Sequence, residues 1–220
     1  MPYRRTESVI RRLAAREQAI LDAARIEAAR GGMAAVQIIP VAGRAGIATG
    51  TVYRYFPAKA DLVSQLIADV AERELDAMRA AAGAAPGPLS ALAAAIATFA
   101  ARAMSERKLA WAVMAEPAEP EADAARRDFR AALSDELQQR MRVAIVRGYL
   151  PGQDVTIAAP AIVGALLEGL IGPMAPAVDD DPAKTREAVQ TATLLCLRAL
   201  GVGDARAFGL VAQLPLGRRD

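Results

Sequence analysis

The stretch that most restricts how this chain can fold is residues 37–59, QIIPVAGRAGIATGTVYRYFPAK. Ile38, Val41, Ala42 and Ala45 recur at helical spacing and predict a face turned to a core. Gly46 stands where that helix must stop, because glycine accepts the left-handed backbone that ends helices. Ile47 then reads as a buried turn residue. Over 48–56, Val52 and Phe56 fall on one side, four residues apart, while Thr49, Thr51, Tyr53 and Tyr55 point elsewhere. Pro57 suits the first turn of a following helix, where a missing N–H costs nothing. The stretch reads as a helix-turn-helix over 37–56 with an outward second helix, and such a helix is built to enter the major groove of DNA.

The rest of the chain agrees with an all-α protein. Its 220 residues are enough for one sizeable domain or two small ones, with ample core. Apolar residues make up 54% and aromatics only 4%, with alanine dominant, which favours close-packed helices over sheets. Charge is unevenly spread. Residues 1–60 hold ten Arg and Lys against four acids, a net +6, and the remainder carries −4. A basic N-terminal module on a mildly acidic body predicts a polyanion partner for the first part, unless the basic residues are only a solvated surface.

Composition also removes chemistry. The chain has no histidine, which excludes Ser-His-Asp and Cys-His catalysis, histidine acid–base work and ordinary zinc sites. The single cysteine, Cys196, has no partner for an internal disulfide and reads as a small core residue. No Walker sequence and no glycine-rich dinucleotide turn is present. Neither a metal nor a cofactor is expected, and an enzyme would have no visible equipment. The N-terminus lacks the apolar segment of a signal peptide, so a cytoplasmic protein is expected. The apolar run at 155–178 is long enough to span a bilayer, but its prolines and the central Glu168 favour a buried helix, and no membrane partner is expected.

At 46–59 the pattern G-x-x-x-G-T-x-Y-x-Y-F-P-x-K is specific. With the preceding AILDAARIEAARGG, it resembles the DNA-binding signature of the TetR/AcrR family of one-component transcriptional regulators, over roughly residues 14–74. The resemblance implies that Thr49, Gly50, Thr51, Tyr53 and Tyr55 face the groove. Gly50 would let the helix approach closely, and the threonines would offer hydroxyls to phosphates and methyls to thymine. Lys59 would clamp a backbone phosphate, and Gln37 and Arg44 join the DNA-contacting set. Tyr53 also reads as a half-buried core aromatic, and both roles stay open. The sequence departs from the family at Ala28, where an aromatic is common, at Gln37, where Ser or Thr usually caps the second helix, and at Tyr55, often histidine. Met33 would fill the space Ala28 leaves, and Pro40 would partly compensate for the poor cap.

The domain reading is a basic arm at 1–13 that grades into a helix capped by Thr6, a DNA-binding head at 14–74, a ligand-binding and dimerisation body at 75–205, and a tail at 206–220. The arm, with Arg11, Arg12 and Arg16 near the head, would either touch DNA or be a solvated terminus. Predicted helices run over 18–30, 61–82, 89–105, 108–116, 121–149, 155–174 and 182–200, separated by Gly and Pro. In the body, Phe99, Met104, Trp111 and Met114 with Phe129, Leu133, Leu137 and Met141 would line an effector cavity. That role is implied by the resemblance, since such stripes by themselves read as plain core.

On 155–174 one face is small (Ala158, Ala161, Ala165, Gly169, Gly172) and the other large (Val163, Leu167, Leu170, Met174). The 182–200 helix would bury Ala188, Val189, Ala192, Leu195, Cys196 and Ala199. The family pairs the equivalent helices across a two-fold axis, which places the small face and Leu195 at a homodimer interface. The resemblance thus implies a sequence-specific regulator of a near-palindromic double-stranded operator. Repression relieved by a small-molecule effector is the expected mode. Two alternatives remain: an architectural protein binding DNA without sequence choice, and a helical enzyme with an unseen site.

Overall fold

A computed structural model of the chain describes residues 7–116, 120–176 and 181–214. Among these residues there are helices and turns but no strand, as the composition predicts. The head is α1 (Glu7–Gly31), α2 (Ile38–Arg44) and α3 (Thr49–Tyr55). The long α4 (Lys59–Gly83) leads into the body: α5 (Pro88–Ser105), α6 (Arg107–Met114), α7 (Pro120–Val146), α8 (Val155–Leu166), α9 (Pro182–Ala199) and α10 (Asp204–Ala212).

α4 belongs to both halves. Leu62, Val63, Leu66 and Ile67 are buried with Ile20, Ala24, Val41, Val52 and Phe56 of the head in one continuous core. Further along, Val70, Leu75 and Met78 turn into the body, where α4 lies against α5 and α7. The burial repeats at three and four residues, so one stripe of α4 serves both cores. The second link between the halves is α1 against α6. There Arg25 donates to both carboxylate oxygens of Glu106 at 3.0 Å, and Lys108 Nζ reaches the Arg30 carbonyl at 3.4 Å. The third polar tie runs from the Met33 N–H to Glu116 Oε2 at 2.8 Å.

Several elements differ from expectation. α1 runs unbroken from Glu7, so residues 7–13 are helix and no boundary falls at 14. No Gly or Pro interrupts 7–30, and its Ala, Arg, Leu and Glu are strong helix formers. The expected Thr6 cap lies outside the described residues. Met33 and Ala28 are both buried in the core. Pro57 precedes α4, which opens at Lys59; the Ala58 N–H donates to Asp61 Oδ2 at 2.9 Å, and that bond sets the start. α7 stops at Val146, short of 149, because Gly148 turns left-handed at φ 71° and the Tyr149 N–H returns to the Ala144 carbonyl.

α8 does not continue as an α-helix to 174. It passes into one π turn, Leu167–Ile171, closed by the Gly172 N–H donating to the Leu167 carbonyl at 2.8 Å. That break takes Met174 off the helix, and it is 85% exposed instead of buried. α10 crosses the expected tail boundary at 205/206. Ala207 and Val211, four residues apart, seat it, and the Arg198 guanidinium lies 5.0 Å from the Phe208 ring centre. α5, rather than the run at 155–178, is the one described helix long and apolar enough to cross a membrane; two-thirds of it is buried within the body.

Candidate nucleic-acid interface

α2 begins without a side-chain cap. Gln37 holds the cap position in extended backbone, but its amide Nε2 turns back to the Ala34 carbonyl at 2.9 Å. Pro40, third in the helix, lacks an N–H just where none has an intrahelical partner. At the far end Arg44 Nε donates to Glu27 Oε1 at 2.6 Å, with both side chains largely covered. Arg44 is thus a strut between α2 and α1, engaged by a carboxylate rather than presented to a phosphate.

Gly46 then takes φ 64°, and the Ile47 N–H returns to the Ala42 carbonyl at 3.0 Å. A Cβ at Gly46 would meet nothing within 4 Å, so the glycine is needed for its backbone alone. Ile47 is half-buried against the core.

α3 is held from below by Val52 and Phe56, 0% and 4% exposed. Thr49 and Gly50 are exposed and Thr51 is half-buried. Nothing lies within 4 Å of a Cβ built at Gly50, so no internal packing requires its bare backbone. The tyrosines reverse one expectation. Tyr53 stands out at 51% exposed, whereas Tyr55 is the half-buried aromatic, packed on the head core. Lys59 is half-buried at the start of α4. Beside α3 a groove of about 340 Å³ runs between Arg12 and Arg16 of α1 and Thr51, Arg54 and Tyr55 of α3. Sequence reading did not place Arg54 in the interface. Its position next to Tyr53 and Tyr55 was the available signal.

In the body the eight residues expected around one cavity separate. Phe99, Met114 and Phe129 line a cleft with Val70, Leu109 and Val113. It holds about 30 Å³, room for roughly two waters. Charged residues ring its mouth: Arg102 binds both oxygens of Glu74 at 2.7 and 2.8 Å, and Glu106 stands beside them. Those hydrogen bonds from Arg102 to Glu74 raise the guanidinium above its ordinary pKa. Met104 instead borders a wider groove of about 420 Å³ between α8 and α9. Leu133, Leu137 and Met141 are packed in the core along α7, and Trp111 is half-buried on α6; none of these four borders either cleft.

Of the small-residue face, Ala161, Ala165 and Gly169 are exposed and Ala158 is half-buried. Gly172 is not on that face: it follows the π turn and is buried close to Glu168. On α9, Val189 and Cys196 are buried and Ala188 and Ala192 half-buried. Leu195 and Ala199 are exposed rather than buried, and the Leu195 side chain borders the wider groove at 58% exposure. α9 therefore turns one face inward and leaves Leu195 and Ala199 outward, with Lys184, Glu187 and Thr191 bordering the same groove as Leu195.

Residues 20–66 match the family model described as bacterial regulatory proteins, tetR family. The repressor KstR of Rhodococcus jostii is 48% identical over 58 residues, 26% of this chain and 27% of that protein. KstR of Mycobacterium tuberculosis is 52% identical over 48 residues, 22% of each chain. These alignments span about a quarter of the length of the curated relatives. Likeness of fold extends much further. The structure of RolR in complex with resorcinol aligns over 94% of this chain and 98% of its own, at a TM-score of 0.67 and 19% identity. FadR from Bacillus subtilis, in complex with stearoyl-CoA, aligns over 84% of this chain and 97% of its own, also at TM-score 0.67 and 19% identity. The helix-turn-helix of α2 and α3 thus lies within the stretch that matches the tetR family model, and the chain as a whole shares the all-helical fold of the RolR and FadR structures.

Proposed function

We propose that the protein is a homodimeric, cytoplasmic transcriptional repressor that reads a near-palindromic operator and is released from it by a small molecule. The observation that carries the reading is α3: a helix anchored by Val52 and Phe56 whose Thr49, Gly50 and Tyr53 are turned to solvent. One seven-residue helix reads few bases. Two copies about 34–36 Å apart would read both halves of an operator. The exposed face of Ala161, Ala165, Gly169 and Leu195 supports pairing of α8 and α9 with a second copy. Bare small residues let helices approach closely, and Leu195 supplies an apolar anchor.

The effector would enter the body cleft at Phe99, Met114 and Phe129. Its apolar lining suits an apolar group, and its small volume means that binding must push α6 away from α4 or α7. α6 is also tied to α1 through Glu106 and Arg25, so a ligand that shifts α6 favours a different head position.

The test is selection from a pool of genomic DNA fragments at fixed physiological salt, wild type beside Tyr53→Ala. Tyr53 is the exposed aromatic of α3, so its truncation leaves the core intact. Recovery of a two-fold-symmetric site by wild type, with affinity reduced at least about tenfold in the variant, fits a reading helix. Equal capture of random and selected duplexes would refute sequence-specific regulation and favour an architectural role. Leu195→Glu should convert the dimer to monomer in sedimentation and abolish capture of the full site.

A further inference from the structure

We infer that the body carries a second small-molecule site, a preformed groove between the end of α4, α5 and α10, and that it takes an uncharged, largely apolar molecule. The groove shares no lining residue with the cleft at Phe99, Met114 and Phe129. It stands or falls separately from the reading of the protein as a DNA-binding regulator.

The groove follows from what α5 puts on one face. Ser90, Ala93, Ala94 and Ala97 recur at three and four residues, and Ala93 and Ala97 are buried, so the floor lies at the level of the core. Alanine ends at Cβ and cannot fill the space between α5 and its neighbours. One wall is Ala81 near the end of α4 and Pro86 in the turn that follows. The other is α10, at Leu210 and Leu214. α10 is held from elsewhere: Asp204 accepts from Arg198 Nε of α9 at 2.6 Å, and the Arg206 guanidinium lies 4.9 Å from the Tyr149 ring centre. It stands beside α5 without closing on it, and about 300 Å³ stays open.

Volume and lining select the class of ligand. The cleft at Phe99 holds about 30 Å³ until α6 moves, whereas this groove already reaches the lower end of small-molecule sites, about 300–1,000 Å³. Glu74, Arg102 and Glu106 border that cleft, and Lys184 and Glu187 border the groove of α8 and α9. None of the described residues lining the groove at α10 is ionisable. A charged ligand would give up hydration there and meet no counter-charge, which selects against an ion. Ser90 is already engaged, since its Oγ accepts the Gly87 N–H at 3.1 Å and donates to the Gly87 carbonyl at 2.9 Å. The Thr98 hydroxyl and the Gln213 amide remain to orient one hydroxyl, carbonyl or amide on an otherwise apolar molecule.

The experiment titrates the full-length protein with phenyl-naphthylamine, an uncharged fluorophore, and with anilinonaphthalene sulfonate, the same ring skeleton carrying an anionic group. The uncharged fluorophore should bind saturably, one per protomer, and the sulfonate at least about tenfold more weakly. Ala94→Phe projects a ring from the floor, and Ala85→Trp covers the groove from the turn after α4. Each should weaken the uncharged fluorophore at least about tenfold. Ala85 lies in a turn and is half-buried, so its variant keeps the test readable should Ala94→Phe fail to fold. Ala110→Phe, in the cleft beside α6, should leave the affinity within about twofold of wild type.

Unchanged affinity in Ala94→Phe and Ala85→Trp, or loss in Ala110→Phe, would put the fluorophore elsewhere and overturn the site. Equal affinity for the sulfonate would overturn the chemical class. Leu216→Asp tests the chain after Leu214, which lies outside the described residues. Unchanged affinity in that variant supports the proposal, and tighter binding would assign the groove to this segment and overturn it. Affinity that falls as protein concentration rises would assign the groove to a second copy and overturn it equally. DNA binding is untouched by each of these results, so the regulator reading is tested apart from them.

Discussion

Replacement of Gly32 by alanine should destabilise the protein through two separable effects. Gly32 sits between α1 and the short turn at Met33–Ala35, with φ 71° and ψ −168°, a region open to glycine and strained for every other residue. That conformation alone costs an alanine about 1–3 kcal/mol. A Cβ there would also stand 2.7 Å from Oε2 and 2.9 Å from Oε1 of Glu116, the carboxylate that accepts the Met33 N–H at 2.8 Å. Displacing it removes a charge-assisted hydrogen bond, worth about 1.5–3 kcal/mol. The carboxylate is the far end of a flexible side chain and regains water when pushed aside, so the lower end of that range applies. Gly32→Ala should thus cost about 3 kcal/mol in urea denaturation followed by circular dichroism.

Gly46→Ala is the control, since φ is 64° but nothing lies within 4 Å of its Cβ, and the cost should be only about 1–2 kcal/mol. Glu116→Ala removes the clash as well as the bond. The Gly32→Ala/Glu116→Ala pair should therefore lose less than the sum of the two single losses. Equal losses for Gly32→Ala and Gly46→Ala, or strict additivity of the pair, would refute the steric part of this account.

Arg126 is only 2% exposed, and its Nε and Nη2 donate to the Ala112 carbonyl at 3.2 and 2.7 Å, tying α7 to the end of α6. Arg126→Ala should cost about 2–4 kcal/mol in the same assay, and Arg126→Lys should recover little, because an ammonium lacks the two-pronged fork. Burial pushes the Cys196 thiol up to about 12, so the native protein should react with thiol reagents at pH 8 roughly a thousandfold more slowly than the unfolded chain. The raised value also fixes the sign of a stability change. The thiol's contribution is whole below the unfolded pKa, near 8.5, and is lost as pH rises toward 12; Cys196→Ala should flatten that alkaline slope.

The head was legible because its punctuation is local. Gly46, the Val52 and Phe56 pair and the apolar spacing of α2 each act within a few residues. What the sequence concealed depends on partners far along the chain. Arg44 is taken by Glu27 on another helix, which no spacing within α2 reveals. Which of Tyr53 and Tyr55 tucks inward depends on how α3 sits on the rest of the head, not on the seven residues of α3 alone. In the body, Leu133, Leu137 and Met141 carry the periodicity of a buried stripe. Periodicity is the same whether the facing space is filled or empty, so it could not divide cavity wall from core. α10 escaped notice because only Ala207 and Val211 are buried on it, too few to establish a repeat.

The π turn at Leu167–Ile171 behaves like an inserted residue that the helix has absorbed. Removing one residue there would restore ordinary winding. Each residue of a helix turns the chain by about 100°, so everything after the deletion would leave in a different direction. The segment that follows holds Pro176, whose carbonyl accepts a hydrogen bond from Arg107 at 3.2 Å and which borders the same groove as Leu195. A change of a single residue in chain length would therefore re-aim this segment while leaving the Ala161 and Ala165 face of α8 untouched. Length variation at this point is a route by which related chains could alter the rim of the groove without redesigning the helices that form it.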